Sequence, residues 1–275
     1  VGHPYMIKAI AASKRKNDRL DARTLADLLR CNLFPSCYMA PSHLRDLRRM
    51  MRYRNLMVRQ ATRLKNKTSG LLMEVGAEYD KKKLHGKRYF TQLVEELEEV
   101  PESVKQLLTL SRSGLEVFES VQKALLGQLR NEPSIVERVE RLMAIRGVGP
   151  SLALTWVLEV GEPKRFPAIG DAVSYCGLVS AEKVSADKAR RGPLSKQRNK
   201  HLQSTLIEAA KLAPRWNPQL AAVRDRELAR GRNKNCATLA VARKLVAYLL
   251  SVDKSGKPFE VRAAAEQPKE AATIG

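Results

Sequence analysis

The chain has 275 residues, of which 50 are Lys or Arg and 29 are Asp or Glu, so its formal net charge is +21. A surface this basic predicts a polyanionic partner, chiefly nucleic acid, with an acidic membrane surface as the main rival. The four scattered cysteines exclude a disulfide framework and a Cys-x-x-Cys zinc site. No secretory signal is visible, so we expect a cytoplasmic protein. No run of 18 apolar residues is present either, so we expect that the chain does not span a membrane.

The first zone opens on Val1 rather than Met, so we expect an N-terminally incomplete protein. It contains Lys-Asn-Asp-Arg-Leu-Asp-Ala at residues 16–22, followed by a strongly helical pattern at 22–30. Asp18 and Asp21 have the i, i+3 spacing that places two side chains on one helix face. Two such carboxylates suit Mg²⁺, which can activate a water or a hydroxyl against a phosphodiester. The ordinary alternative is a helix N-cap and a solvated first-turn acid.

The second zone is helical by pattern, with two apolar stripes separated by a Gly- and Lys-rich connection at residues 76–90. We expect an antiparallel hairpin or coiled coil that docks on its own chain or pairs with another protomer. The first of its helices is strongly basic and has few acids for i, i+4 pairs, which favours phosphate contacts over a merely solvated face. The candidate phosphate-binding residues are Arg45, Arg48, Arg49 and Arg52.

The third zone begins with an apolar helix end, an Arg-Gly-Val-Gly-Pro turn at residues 146–150 and a new helix. Gly147 and Gly149 allow positive φ and close backbone approach, and Pro150 suits the first turn of a helix. The pattern is typical of a helix-hairpin-helix, in which Arg146 and free N–H groups grip a nucleic-acid backbone. The alternative is a tight turn between helices with no ligand.

A polar, basic loop is predicted after the short apolar run at residues 175–179. A serine hydroxyl in such a loop has what phosphoryl transfer needs, because cations lower the cost of an alkoxide and hold the scissile phosphate. Serine is a poor nucleophile by itself, so a base or a metal must activate it. The alternative is an ordinary basic loop with unremarkable serines. The cations of this segment are Lys188, Arg190, Arg191, Lys196 and Arg198.

These motifs occur in an order that resembles the insertion-sequence one-ten (IS110) family of bacterial transposases, over about residues 1–260. The resemblance rests on the motif at 16–22, the Gly-Val-Gly-Pro turn, Tyr-Cys-Gly-Leu-Val at 175–179 and Arg-Arg-Gly-Pro-Leu-Ser-Lys-Gln-Arg-Asn-Lys-His-Leu at 190–202. Phe166-Pro167 and Val-Ala-Arg-Lys-Leu at 241–245 add to it. Each motif is modest by itself, but their ordered succession is specific.

The resemblance implies a mainly α-helical chain with three domains and a tail. The domains are the remnant of a RuvC-like (RNase H-type) α/β domain at 1–40, a helical hairpin or coiled coil at 42–135, and a mostly helical transposase domain with a helix-hairpin-helix at 136–260, before a disordered tail at 261–275. Asp18 and Asp21 correspond to the last two acids of a DEDD quartet, and Ser185 corresponds to the catalytic serine. The first two acids are expected upstream of Val1, which leaves the activity of this chain by itself open.

The function implied is that of a DNA transposase or recombinase that acts in the bacterial nucleoid. It would use Mg²⁺ at the acids, form a covalent 5′-phosphoserine, follow a guide (bridge) RNA and work as a homo-oligomer, a dimer or tetramer. Two rivals stay open. A Holliday-junction-type nuclease would need Mg²⁺ and the acids but no serine. A non-catalytic nucleic-acid-binding protein would need neither the acids nor the serine.

Overall fold

A computed structural model describes residues 1–2, 7, 17–97, 100–185 and 188–260, with backbone alone at 182–185 and 188–191. The described chain is mainly helical, which confirms the predicted fold class at that level. It divides into two compact units, residues 1–45 and the part from Asp46 onward. The tail predicted at 261–275 lies outside the described residues.

The first unit contains helix α1 (Asp18–Arg30), which begins at the first residue of the acidic pair. Its N-cap is Asn17, whose side chain accepts a hydrogen bond from the backbone N–H of Arg19 (2.9 Å). The helix ends on Arg30, whose guanidinium pairs with Asp27 (3.2 Å) and suits the negative end of the helix. None of its side chains is buried within this unit.

Two long helices, α2 (Ser42–Glu74) and α4 (Glu102–Arg130), lie where the sequence predicts them. A shorter helix, α3 (Lys87–Glu96), lies between them in the chain. Across the two long helices, Lys65 pairs with Glu119 (3.0 Å). A small apolar cluster closes the end of this arrangement, and its buried members are Leu71, Leu72, Leu84, Phe90, Leu93 and Leu108.

The remaining elements form a helical body. Its helices are α5 (Val136–Met143), α6 (Pro150–Val160), α7 (Ile169–Tyr175), α8 (Lys200–Leu212), α9 (Pro218–Ala229) and α10 (Lys234–Ser255), with single 3₁₀ turns at Pro163–Arg165 and Ala213–Arg215. The central helix, α6, has buried side chains at every position from Leu152 to Val160, as expected for a helix that is apolar all round. It packs against α4, α5 and α8, while the last helix, α10, packs against α5, α7, α8 and α9.

Helix α10 is, among the described helices, the one whose length and composition would allow a membrane span. Its environment is that of a core helix. The carboxylate of Asp253 is 1% exposed and accepts two hydrogen bonds from Arg138 (2.6 and 2.7 Å) and one from the indole N–H of Trp156 (2.8 Å). The helix is therefore tied to α5 by an ion pair and to α6 by a hydrogen bond, both on the buried carboxylate of Asp253.

The predicted loop after residue 179 is in fact a β-hairpin, and the loop prediction was wrong. Strands β1 (Ser180–Ser185) and β2 (Lys188–Leu194) pair antiparallel, from Ser180 opposite Leu194 to Ser185 opposite Lys188, with an irregularity between Ser180 and Glu182. Val184 is the one β-branched residue in these strands. With so little β-propensity, the strands depend on pairing with each other, which a single-segment pattern does not reveal.

Candidate functional site

The base of the hairpin is clamped by backbone and side-chain hydrogen bonds from several helices. The N–H of Ser195 donates to the carbonyl of Val179 (3.0 Å), which closes the hairpin below its last strand pair. The buried amide of Gln203 donates to the carbonyl of Gly177 (2.6 Å), and the guanidinium of Arg243 donates to that of Leu178 (2.8 Å). The chain entering β1 is thus fixed by α8 and α10.

Gly177 is required where the chain turns from α7 toward β1. Its φ is +70°, and a Cβ there would lie 2.5 Å from the Cβ of Arg198. Only glycine accommodates both the positive φ and the contact with the following segment. The preceding thiol, Cys176, is buried, and this burial raises its pKa to about 12. Cys176 is therefore a packed structural residue rather than a reactive one.

Glu159 is the centre of a buried polar cluster beside the hairpin base. Its side chain is 3% exposed, and its two carboxylate oxygens accept hydrogen bonds from Nε and Nη2 of Arg52 (2.7 and 2.8 Å). The amide of Asn199 donates to Oε2 (2.8 Å), and the hydroxyl of Tyr175 donates to the Glu159 carbonyl (3.0 Å). Arg48 lies 3.7 Å from Oε2 and donates to the carbonyl of Leu158 (2.8 Å).

The cluster contains one carboxylate and two guanidinium groups. Burial would by itself raise the pKa of Glu159, but the hydrogen bonds from Arg52 and Asn199 and the charges of Arg52 and Arg48 bring it below its ordinary value. The hydrogen bond to Glu159 also raises the pKa of Arg52. Glu159 is therefore ionised at neutral pH, and its negative charge holds two arginines of α2 against the body.

Asn199 connects this cluster to both ends of the hairpin segment. Its backbone N–H donates to the carbonyl of Tyr175 (2.9 Å), the last residue of α7. Its side-chain oxygen accepts from the N–H groups of His201 and Leu202 (3.1 and 3.2 Å), so it is the N-cap of α8. One residue thus joins the chain before β1, the chain after β2 and the buried carboxylate.

Ser185 is the last residue of β1, directly opposite Lys188. The side chains of Ser185, Lys188, Arg190 and Arg191 lie outside the described part of the structure, so their roles stay predictions. Lys196 and Arg198, which follow the hairpin, are exposed. Arg198 donates to the carbonyl of Ser195 (2.8 Å), close to the closing hydrogen bond of the hairpin.

Asp18 and Asp21 both lie in the first turn of α1, and neither is its N-cap, because Asn17 has that role. Asp18 is exposed and Asp21 is half-buried. Carboxylate oxygens suit a hard divalent ion, so the pair fits as part of a metal-binding set. Within the described residues, no group of three His, Cys, Asp or Glu side chains is close enough to hold a metal ion.

The four predicted phosphate-binding arginines of α2 fall into two pairs. Arg45 and Arg49 are exposed, and Arg49 pairs with Asp46 one turn earlier. Arg48 and Arg52 instead contact α6 through Leu158 and Glu159. Sequence reasoning did not single out Glu159. The available signal was a lone acid in the otherwise apolar run of residues 152–160, where a charge requires a buried partner.

The predicted helix-hairpin-helix turn links α5 to α6. Gly147 has φ +95°, and a Cβ on it would lie 2.7 Å from the Cβ of Ala213. Gly149 is extended, with φ −92°, so it does not use the positive φ that we expected a glycine to allow there. Gly149 precedes Pro150 and provides no side-chain cap for α6. The carbonyl of Arg146 accepts a hydrogen bond from the buried Asn217 (3.0 Å), and the Arg146 side chain is exposed. The turn is rigid, and a cation lies beside it.

Comparison with known proteins identifies two matched segments. A family model described as "Transposase IS116/IS110/IS902 family" matches residues 139–224, and a DEDD-type IS110 transposase model matches residues 1–76. The chain is 23% identical to a putative transposase, y4qE, of Sinorhizobium fredii, over 92% of this chain and 69% of that protein. It is 25% identical to a probable family 20 transposase of Pseudomonas aeruginosa, over 83% of this chain and 70% of that protein.

A third relative, the transposase of insertion sequence element IS1328 from Yersinia enterocolitica, is 24% identical over 76% of this chain and 62% of its own length.

The two segments matched by the family models are in contact in the structure. Arg52 belongs to the first segment and Glu159 to the second, and they form the ion pair described above, in which Glu159 is buried and the Arg52 side chain is 45% exposed.

Proposed function

The chain carries the transposase domains of the IS110/IS116 family, and from this premise we propose that it cuts and rejoins DNA through a covalent serine intermediate. The observation that carries this proposal is the position of Ser185. It ends a strand whose base is held by helices of the transposase segment, and its strand partners are rich in Lys and Arg. A nucleophile on a firmly held element beside cations suits phosphoryl transfer.

In this mechanism the Ser185 hydroxyl loses its proton and attacks a backbone phosphorus. The new O–P bond forms as the bond from phosphorus to the 3′ oxygen breaks, so one DNA end leaves as a free 3′ hydroxyl and the other is held as a 5′-phosphoserine. Attack by a different 3′ hydroxyl reverses the step and releases serine. No external energy source is needed, because the protein linkage conserves the phosphodiester. Lys188, Arg190 and Arg191 would neutralise the phosphate charge.

Asp18 and Asp21 would contribute two oxygen ligands to a divalent cation, for which we propose Mg²⁺. The bound ion would supply positive charge at the scissile phosphate and favour the ionised form of an attacking oxygen. The first helical turn of α1 holds both carboxylates, and its Asn17 cap leaves them free of a capping role. This division of labour agrees with a RuvC-like domain at 1–40 that cooperates with a transposase domain at 136–260.

Nucleic acid would be held by the exposed cations at three places. On α2 they are Arg45 and Arg49, whereas Arg48 and Arg52 would chiefly secure that helix to the body. At the turn between α5 and α6, Arg146 with the backbone of Gly147 and Gly149 would grip a DNA or guide-RNA backbone as a helix-hairpin-helix does. The third place, after the hairpin, contains Lys196 and Arg198. Phosphate contacts of this kind act on any sequence, so a guide RNA would have to supply target choice.

Self-association would use the long helices at 42–135. A groove of about 480 Å³ runs between α2 and α4, with Leu64, Leu110 and Phe118 among its lining residues. An apolar groove on paired helices suits a helix of a second copy of the chain. Such pairing would let two protomers act together at one DNA junction in the bacterial nucleoid.

The test is a denaturing gel of end-labelled DNA incubated with Mg²⁺, guide RNA and protein expressed from its complete coding sequence. Ser185→Ala should abolish the covalent protein–DNA adduct while DNA binding stays within about twofold, because one hydroxyl is lost and no phosphate contact. Ser180→Ala and Ser195→Ala are matched controls from the same segment. An adduct that persists in Ser185→Ala would refute the assignment, and metal-dependent cleavage without any adduct would favour the nuclease alternative.

A further inference from the structure

The cluster around Glu159 lies at an unusual place for a charge. Glu159 is part of a helix whose neighbouring side chains are buried and apolar, and its carboxylate is 3% exposed. Replacing a buried ion pair with well-packed apolar groups is often neutral or stabilising, so stability alone does not account for such a pair. What a charged and fully hydrogen-bonded group does provide is one defined arrangement of the elements that meet on it.

The elements that meet on Glu159 are those that enter and leave the serine hairpin. Tyr175 ends α7, just before the turn into β1, and donates its hydroxyl to the Glu159 backbone. Asn199 begins α8, just after β2, and donates its amide both to the carboxylate and to the Tyr175 hydroxyl (3.2 Å). Arg52 of α2 donates one hydrogen bond to each of the two carboxylate oxygens of Glu159.

We propose that Glu159 and Asn199 are positioning residues of the transposase reaction, which fix the two ends of the hairpin and thereby set where Ser185 meets the scissile phosphate. This inference rests on the proposed function, in which Ser185 is the nucleophile. Neither residue touches the reacting atoms. A shift at the base is carried along the paired strands to their end, and displacements of about 1 Å can slow a reaction by about a hundredfold.

The chain contains a matched control for this idea. Asp253 is also buried, at 1% exposure, and also accepts two hydrogen bonds from one arginine, Arg138. Its other donor is Trp156. The hydrogen bonds of Asp253 join α5, α6 and α10, and within the described residues none of them goes to Tyr175 or Asn199. Removing either carboxylate disturbs a buried ion pair, but only Glu159 contacts the hairpin base.

Hydrogen exchange of the chain without nucleic acid provides the first test. In Glu159→Gln, the backbone amides of residues 180–185 and 188–192 should exchange at least tenfold faster than in the wild type. In Asp253→Asn they should stay within about threefold, once both variants are compared at equal distance below their melting temperatures. Equal acceleration in the two variants would overturn the proposal, because it would mean that the hairpin responds to general loss of stability.

The second test measures adduct formation at saturating DNA. Glu159→Gln should slow it at least tenfold with DNA affinity unchanged, whereas Asp253→Asn should have little effect. The double variant Glu159→Gln with Asn199→Asp should recover part of the rate. The amide introduced at position 159 can donate a hydrogen bond to the carboxylate introduced at position 199, and that carboxylate still provides an oxygen for the N-cap of α8. If Glu159→Gln does not fold, Tyr175→Phe, which removes one hydroxyl, should show the same change at smaller size.

The two possible failures are distinguishable. If the wild type forms no adduct, or if Ser185→Ala still forms it, the proposed function fails, while the hydrogen-exchange comparison still decides whether Glu159 fixes the hairpin. If Ser185→Ala abolishes the adduct but Glu159→Gln and Asp253→Asn behave alike, the nucleophile stands and the positioning role is refuted.

Discussion

The helical body of residues 136–255 and the long helices of residues 46–130 treat their apolar side chains differently. In the body, the central helix α6 is enclosed on all sides, from Leu152 to Val160. On the long helices, Leu110 is 67% exposed and Val117 is 60% exposed, and their i, i+7 spacing places both on one face of α4, away from its buried Leu108 and Leu115. The body therefore completes its own core, whereas the long helices leave apolar surface that suits a further partner.

The largest difference between the two regions should appear on truncating one leucine in each. Leu154→Ala removes a fully buried side chain of α6 and should lower the free energy of unfolding by about 3 kcal/mol. Leu110→Ala, on the exposed face of α4, should change it by less than about 0.5 kcal/mol. Urea unfolding followed by circular dichroism measures both. Similar losses at the two sites would mean that Leu110 is buried against another surface when the protein is folded.

Replacing one glycine by alanine in each region should change the free energy of unfolding in opposite directions. Gly147→Ala places a Cβ at φ +95°, 2.7 Å from the Cβ of Ala213, and should destabilise the protein by about 2 kcal/mol. Gly70→Ala on α2 has no neighbouring atom within 4 Å and should stabilise the protein by about 0.8 kcal/mol. Thermal melting of the two variants gives the comparison. A neutral Gly147→Ala would show that the turn between α5 and α6 can relax.

Charges on the exposed face of α4 should prevent self-association. Leu110→Glu combined with Val117→Glu should weaken a dimer at least tenfold, about 1.4 kcal/mol, because apolar contacts are replaced by charges that must stay hydrated. Leu228→Glu, at a partly exposed leucine of α9 in the body, is the control. Light scattering over a range of protein concentrations measures the association. A dimer that persists in the double variant would place the interface elsewhere.

The smallest expected effect is a pH dependence that distinguishes the buried acid of the body from an exposed acid of the long helices. Because the folded pKa of Glu159 lies below its unfolded value of about 4.5, its stabilisation is complete above that pH and is lost as the pH falls through the folded pKa. The stability gap between wild type and Glu159→Gln should therefore narrow as the pH falls from about 6 to 3.

Glu119→Gln is the matched control for this titration. Glu119 pairs with Lys65 at 3.0 Å, but its side chain is 48% exposed, so its replacement should change the free energy of unfolding by less than about 1 kcal/mol. Thermal melts at several pH values measure both variants. A gap between wild type and Glu159→Gln that stays constant with pH would mean that Glu159 is not stabilised as an anion.

The helices were predictable because their signals are local. The apolar periodicity and the chain breaks around α2 and α4 are contained within each segment, and the pattern at 22–30 predicts the main part of α1, which in fact begins four residues earlier at Asp18. The β-hairpin was not predictable in this way, because its strands have weak propensity and gain their stability from each other. The site divides along the same line. Ser185 stays a prediction that rests on resemblance, whereas Glu159 acquires its meaning from Arg52, which lies far away in the chain.

The assignment of the α2 arginines shows the same limit. A run of cations on one helix predicts a polyanion partner, but the sequence does not say which members face a carboxylate of the same chain. Arg48 and Arg52 contact α6, while Arg45 and Arg49 face outward. Amphipathic patterns predict which face of a helix is buried; they do not identify the partner of a charge on that face.

The buried thiol beside Gly177 provides the protein with an internal reporter. With a pKa of about 12 and almost no accessible surface, Cys176 should resist alkylating reagents at pH 8, whereas Cys31 and Cys236 are exposed and should react quickly. The rate at which Cys176 is alkylated would then report the rate of transient opening of the turn that leads into the serine strand, without any added label.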